Sequence, residues 1–313
     1  MTFGWALVGT GAIARSRMAP AIARHGRIVA VVSASAERAS RFAAATGARR
    51  AYTTLDDALA DEAVDAVYVS TTNERHAAQA IACLRAGKHV LCEKPMALSL
   101  DDADAMIAAA AESRGTLAVN HHLRAAGSLE RIRSLVAAGA VGRPRLIRTL
   151  HCCHVRPERR GNWRMTDPLR GAGVILDLSV HTIDAIRFVT GREVASVRGH
   201  AAPAGIELAV AGTLLLDGDV LVSLADAYSP LPPLSVIEID GDEGRLEARG
   251  VLDGSGRATI VLGEQVIECD DDPYGRTVER FAAGRPAATG EDGRAALAVA
   301  LALRSAVSDA RPA

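Results

Sequence analysis

Trp5-Ala6-Leu7-Val8-Gly9-Thr10-Gly11-Ala12-Ile13-Ala14 is the stretch on which the fold turns. Its first four residues are an unbroken apolar run, which reads as a short strand buried on both faces. The glycines that follow open straight into a helical stretch. Gly9 permits a tight turn, Gly11 leaves the backbone bare for close approach, and Ala14 lets the helix pack hard against the strand. G-x-G-x-x-A at a strand–helix junction therefore predicts a pyrophosphate-binding turn, with the anion at the helix N-terminus. Gly9, Thr10, Gly11, Ala12 and Ile13 are its binding candidates. Pro20 predicts a kink further along that helix.

Outward from this turn, the chain alternates strand and helix as far as residue 120. Apolar runs at 28–32, 66–70, 90–92 and 117–119 predict further buried strands. Helices are predicted at 36–46, closed by Gly47, and at 73–86, opened by Asn73 and closed by Gly87. Ser99-Leu100-Asp101-Asp102 has the spacing of a capping box before an Ala-rich helix ending near Ala111. The pattern is that of an α/β Rossmann domain, a doubly wound parallel sheet covered by helices on both faces. After residue 120 the texture changes. A helix at 129–138, a strand at 146–154 and a helix at 179–189 lead into closely spaced strands at 195–200, 207–216, 220–227, 236–239, 245–248, 259–262 and 265–267. These predict an α+β domain with a large, mostly antiparallel open sheet, Asp217-Gly218-Asp219 and Asp240-Gly241-Asp242 being hairpin turns. The expected boundaries are 1–120 and 121–313, with the last helix packing back on the first domain.

Composition narrows the function. Charged residues are 23% of the 313 and nearly cancel, leaving a net charge of −1. Such a surface lacks the basic field that binds nucleic acid or anionic membranes, so a small-molecule substrate is expected. With no export signal and no apolar stretch long enough to span a bilayer, the expected location is cytoplasmic. Five cysteines, an odd number, point to reduced thiols. His151-Cys152-Cys153-His154 suggests a metal cluster, but on a strand alternate side chains diverge and the four cannot close a tetrahedron. No metal is expected.

The end of the second strand bears on which dinucleotide binds. An NAD site usually places an acid there for the ribose 2′-hydroxyl. Here the chain reads Val31-Val32-Ser33-Ala34-Ser35-Ala36-Glu37-Arg38. Ser33 and Ala34 replace the acid, and Arg38 in the first turn of the next helix suits a 2′-phosphate. NADP(H) is the expected cofactor; the alternative makes Glu37 the ribose acid and Arg38 a solvated helix residue.

Among 36 basic residues only Lys88 and Lys94 are lysine. A compact ammonium differs most from a guanidinium where it must donate from a desolvated position, and Lys94 follows the apolar run at 90–92 in Glu93-Lys94-Pro95. In the second domain, Asp177, His181 and Asp184 fall on one face at helical spacing, so two carboxylates flank an imidazole suited to general-acid work. Lys94 and His181 are expected to converge on one interdomain cleft.

Three motifs carry a resemblance: Gly9-x-Gly11-x-x-Ala14, the run from Ala86 to Pro95, and the Gly-rich segment leading into Asp177-x-x-x-His181-x-x-Asp184. Together they resemble the glucose-fructose oxidoreductase and inositol dehydrogenase (Gfo/Idh/MocA) family. The resemblance implies that Lys94 and His181 polarise and protonate the substrate while Asp177 orients a sugar. It implies that Ser70, Thr71, Thr72, Asn73 and His76 follow the cofactor past the fourth strand. Glu93, Lys94, Asn120, Trp163, Arg164 and Tyr274 would line the cofactor or active-site cleft. Lys94, Asn120, His122, Asp177 and His181 would meet the substrate, only one of His121 and His122 facing it if they lie on a strand. The activity implied is an NADPH-dependent reductase of a sugar-derived ketone in a homo-oligomer. An NAD-linked polyol or inositol dehydrogenase and a non-catalytic dinucleotide-sensing regulator are the alternatives.

Overall fold

The computed structural model describes residues 2–155, 161–203, 205–229 and 231–309. They form two units, Met1–His121 with Tyr274–Arg294, and His122–Pro273 with Ala295–Ala313. In the first, β1 (Gly4–Val8), β2 (Arg27–Val32), β3 (Arg50–Tyr52), β4 (Ala66–Val69), β5 (His89–Cys92) and β6 (Leu117–Val119) make an all-parallel sheet in the order β3-β2-β1-β4-β5-β6. The chain leaves β1 towards β2 on one side and returns as β4 on the other. Between β1 and β4 therefore lies the topological switch point, where open α/β sheets bind ligands beyond the strand ends.

Helices α1 (Ala19–His25), α2 (Ala36–Thr46), α3 (Leu55–Leu59), α4 (His76–Arg85) and α5 (Leu100–Ala111) connect the strands. Three of them are capped at their N-termini: Ser35 Oγ accepts from the Arg38 N–H, Thr54 Oγ1 from the Asp57 N–H and Ser99 Oγ from the Asp102 N–H, whereas α4 begins at His76 after a tight turn over Asn73–Arg75, with no side-chain cap from Asn73. The kink expected at Pro20 is a wide turn over Ala14–Met18, where the Ala19 N–H reaches the Ala14 carbonyl. Proline, with no N–H to give, follows it directly. Strand β3 and helix α3 went unpredicted, since three residues with polar neighbours show no periodicity. Tertiary contacts hold them: Tyr52 Oη donates to Asp61 Oδ2 at 3.2 Å, and Arg50 pairs with Asp61.

The core of this unit gathers Trp5, Leu7, Met18, Ile22, Tyr68 and Leu91. It is completed by Tyr274, Val278 and Phe281 of α8 (Pro273–Ala282), with the Trp5 and Phe281 rings 5.3 Å apart. What falls in the first unit is thus α8, the loop after it and the first turn of the last helix, α9 (Gly290–Asp309), as far as Arg294, while the rest of α9 belongs to the second unit from Ala295 onward. The reason is apolar area: each large α8 side chain buried there is worth roughly 1.5–3 kcal/mol.

The second unit is built on one eight-stranded sheet. It contains α6 (Gly127–Ala137), β7 (Pro144–His154), α7 (Val180–Thr190), β8 (Val194–Ala202), β9 (Ala209–Leu216), β10 (Val220–Ser229), β11 (Leu234–Gly241), β12 (Arg245–Arg249), β13 (Arg257–Leu262) and β14 (Gln265–Asp270). The order is β14-β13-β12-β11-β7-β10-β9-β8; only β7 and β10 run parallel. Gly218 and Asp219 both have positive φ, 78° and 62°, in the tight β9–β10 turn. One face of the sheet is covered, α6 lying on β13 and β14 and the turn before α7 on β7 and β10. His151 and Cys152 fall on opposite faces of β7, His151 buried beneath α7. Among the described residues no helix is long and apolar enough to cross a membrane, and no group of three His, Cys, Asp or Glu side chains could hold a metal ion.

Candidate active site

In the first unit the switch point is closed by glycine. Gly9 has φ +105°, and a Cβ there would lie 2.6 Å from the Ser70 carbonyl oxygen. The approach is that close because Ser70 donates its N–H to the Val8 carbonyl at 2.8 Å, zipping the end of β4 onto β1. A Cβ on Gly11 would meet nothing nearer than 3.9 Å. Bare backbone facing open space, at a helix opened by exposed Ala12 and half-buried Ile13, is the cradle a pyrophosphate needs, so the residues present fit a dinucleotide. Thr10 is half-buried beside them. Ser33 leaves the end of β2, its hydroxyl accepting loosely from the Ser35 N–H at 3.4 Å, next to exposed Ala34 and Arg38. Glu37 also lies on the exposed helix surface, with its carboxylate 3.5 Å from Arg41.

Past β4, Ser70 and Asn73 are buried and Thr71 and Thr72 half-buried. Thr71 Oγ1 donates to Gln79 Oε1 and Thr72 Oγ1 to Glu74 Oε1, each at 2.6 Å. His76 is buried with Nδ1 2.9 Å from the Pro95 carbonyl oxygen, an acceptor, so Nδ1 carries the proton. That bond ties α4 to the Glu93-Lys94-Pro95 segment. Glu93, also buried, receives Tyr68 Oη and Asn120 Nδ2 on one carboxylate oxygen, both at 2.6 Å. Burial and the neighbouring Glu93 charge push the Tyr68 hydroxyl well above its ordinary pKa, so it stays a donor. Lys94 is held half-buried between buried Glu93 and Pro95. Lys88 is spent on structure, its Nζ donating to the Val64 carbonyl at 2.7 Å. Tyr274 packs in the core under the Arg17 guanidinium, and Asn120 is fully buried on Glu93.

In the second unit Asp177 and His181 do not lie on a plain helix. Ile175–Ser179 is a wide turn in which the Val180 N–H reaches back to the Ile175 carbonyl, which rotates Asp177 relative to the i, i+4 position expected from the sequence. Gly173, φ +114°, precedes it, and a Cβ there would strike the buried Glu207 carboxylate at 2.6 Å. Desolvation raises the Glu207 pKa against the pull of Arg304. Asp177 receives Tyr228 Oη at 2.9 Å and faces Arg164 at 3.5 Å; Arg164 also stacks over Trp163 at 4.4 Å. The His181 ring meets His122 edge to face at 5.1 Å, both residues being buried. The second flanking acid, Asp184, takes a two-pronged hydrogen bond from Arg124, at 2.9 Å from Nε and 2.8 Å from Nη2. Tyr228 and Glu207 escaped the sequence reading. The available signal for Tyr228 was β10 itself, where the inward apolar positions Val220, Val222 and Leu224 give way to Asp226 and Tyr228.

A glycine-closed switch point on a 3-2-1-4-5-6 parallel sheet, followed in the chain by an acid, imidazole and phenol set on a mixed sheet, defines a dinucleotide-dependent oxidoreductase with an added α+β domain. Residues 3–121 match the oxidoreductase family with an NAD-binding Rossmann fold, and residues 129–247 the GFO/IDH/MocA C-terminal domain. The chain belongs to the Gfo/Idh/MocA oxidoreductases. It is 38% identical to 1,5-anhydro-D-fructose reductase of Ensifer adhaerens, over 97% of this chain and 96% of that protein. It is 26% identical to myo-inositol 2-dehydrogenase of Thermotoga maritima, over 85% of this chain and 84% of that one. The aldose-aldose oxidoreductase of Caulobacter crescentus, solved with glycerol, superposes with a TM-score of 0.89 at 26% identity, covering 99% of both chains. The protein is a sugar oxidoreductase of this family.

Proposed function

We propose that the chain is an NADPH-dependent reductase of a sugar-derived ketone, converting 1,5-anhydro-D-fructose to 1,5-anhydro-D-mannitol. The likeness to the Ensifer reductase supports the substrate. The observation that carries the reading is the Asp177 arrangement, a carboxylate held by Tyr228 and Arg164 one turn before His181. Burial and Asp177 push the Tyr228 hydroxyl far above its ordinary pKa, so it remains a donor and leaves Asp177 an acceptor for sugar hydroxyls. A site built to pair hydroxyls rejects analogues that lack them.

The bound nicotinamide supplies the hydride. Lys94 donates to the substrate carbonyl oxygen, and His181, with His122 against its ring, delivers the proton to that oxygen. Gly9 to Ile13 and Ser70 to Asn73 hold the dinucleotide. Ser33 and Arg38, with Ala34 leaving room, take its 2′-phosphate. His76, Glu93 and Asn120 fix the Lys94 segment, and Trp163, Arg164 and Tyr274 complete the lining. A second copy of the chain is proposed on the outer face of the eight-stranded sheet, where paired Leu215 and Leu221 are 37% and 46% exposed. The setting is the reducing cytoplasm, which suits five free thiols.

The test is steady-state turnover of NADPH and NADH with 1,5-anhydro-D-fructose, a panel of ketoses, and myo-inositol with the oxidised cofactors. Preference for NADPH and the anhydroketose is expected. Turnover no better than with fructose removes the named substrate, and a preference for myo-inositol with NAD overturns the reductase.

A further inference from the structure

Beneath the turn that carries Asp177 and the start of α7 that carries His181 lies a buried acid that the reduction does not use. Asp226 is 1% exposed on the inner face of β10 and pairs with His151 across the parallel β7 register. Thr182 Oγ1 donates to Asp226 Oδ1 at 3.1 Å and stands 3.3 Å from His151 Nδ1. Thr182 is the residue after His181, fully buried in the first turn of α7. A leucine at 226 would extend the apolar row of β10 without the cost of burying a carboxyl. Asp226 is thus an expensive way to fill space.

We propose that Asp226 is a positioning residue for His181, acting through Thr182, and that Asp226, Thr182 and His151 form one hydrogen-bond chain whose direction reverses with the proton on Asp226. The proposal rests on the reading of His181 given above. An ionised Asp226 only accepts, so Thr182 donates to it and the Thr182 oxygen receives the Nδ1–H of His151. Once Asp226 takes up one proton, it donates to Thr182, Thr182 donates to His151 Nδ1, and the imidazole proton sits on Nε2. Thr182 keeps its contacts in both states but exchanges their roles, and the first turn of α7 carries that change to the adjoining His181.

Burial pushes Asp226 up to about 7, and the Ser179 and Thr182 hydroxyls draw it down, so both directions are populated near neutrality. Ser179 Oγ and Asp226 Oδ2 each lack a hydrogen-bond partner of standard geometry among the described residues. Their mutual pull is correspondingly loose. The titratable neighbours are His151 and Cys152 on β7, the Cys152 thiol itself raised by burial and by Asp226, Tyr228 two places along β10, and, on the turn and helix packed over these strands, Asp177 and His181. On the other side β9 presents Val210, which carries no charge.

The experiment follows the His151 and His181 ring nitrogens by long-range proton–nitrogen NMR across pH in wild type, Asp226→Asn and Thr182→Val. The same proteins are assayed for kcat and KM with NADPH and an accepted ketose. The expected wild-type result is a change of His151 tautomer near neutral pH that the His181 signals follow. Both variants should lose it, lower kcat by about tenfold or more with KM within about threefold, and drop the matching limb of the kcat–pH profile. Thr182→Val carries the test if Asp226→Asn fails to fold. A His151 tautomer constant with pH in wild type overturns the proposal. So do variants that lower Tm yet keep a wild-type kcat–pH profile. A crossover in a protein that turns over no ketose upholds the chain and refutes the reductase reading instead.

Discussion

Replacing Asp226 with Asn should change how stability depends on pH, and the size of the effect follows from burial. The ordinary aspartate value of 3.8 becomes about 7 in the fold. Between those values the unfolded chain has released its proton while the native state still holds one. The native state therefore loses stability relative to the unfolded chain as pH rises through this window, and the loss is complete above about 7. At 1.36 kcal/mol per pKa unit the whole effect is about 4 kcal/mol, a large part of the roughly 5–15 kcal/mol of a typical domain. Asparagine does not titrate. Its buried amide carries a penalty of about 1–3 kcal/mol that is the same at every pH. The variant is thus expected to gain on wild type steadily from about pH 4 to about pH 7 and to run parallel above, whatever the constant offset. Urea unfolding of both proteins at closely spaced pH values, with m checked for constancy, measures this directly. Parallel curves throughout that range would show that Asp226 is ionised in the fold at low pH, and the argument from burial would fail.

Ser33→Asp combined with Arg38→Ala should shift kcat/KM towards NADH by about tenfold or more, since a paired charge is removed from a 2′-phosphate and an acid is offered to the ribose; unchanged preference would move the cofactor determinant elsewhere. Lys94→Ala and His181→Ala should each lower kcat by about a hundredfold or more while the Kd for NADPH stays within a few fold. Lys88→Met should do the reverse, costing about 1–3 kcal/mol in a denaturant titration through the orphaned Val64 carbonyl and leaving kcat alone. Tyr228→Phe should raise the substrate KM several fold and lower Tm by several degrees, because Asp177 loses a donor worth about 1.5–3 kcal/mol to the fold; an unaltered KM would remove Asp177 from substrate binding.

Much of this was legible in one dimension. The strand before Gly9, the capped helices α2 and α5 and the Asp217-Gly218-Asp219 hairpin follow from periodicity and from residues whose side chains satisfy neighbouring backbone groups, all within a few positions. Local rules failed where a distant residue intervened. The three residues of β3 show no pattern, and they form a strand because β2 offers an open edge. Helical spacing placed Asp177 and His181 on one face, but the wide turn at Ile175–Ser179 reset their relation.

By itself, then, the sequence determined the parallel sheet, the glycine turn, the mixed sheet that follows and the residue types of the site. Those depend on backbone preference and on apolar alternation, which act over a few residues. Only the tertiary structure decided which polar groups meet. Tyr228 reaches Asp177 across 51 positions, Thr182 reaches Asp226 across 44, and Asp226 stands beside His151 through the β7–β10 register. Register is settled by packing the whole inner face of the sheet at once, and a shift of one residue would turn every one of these side chains to the other face.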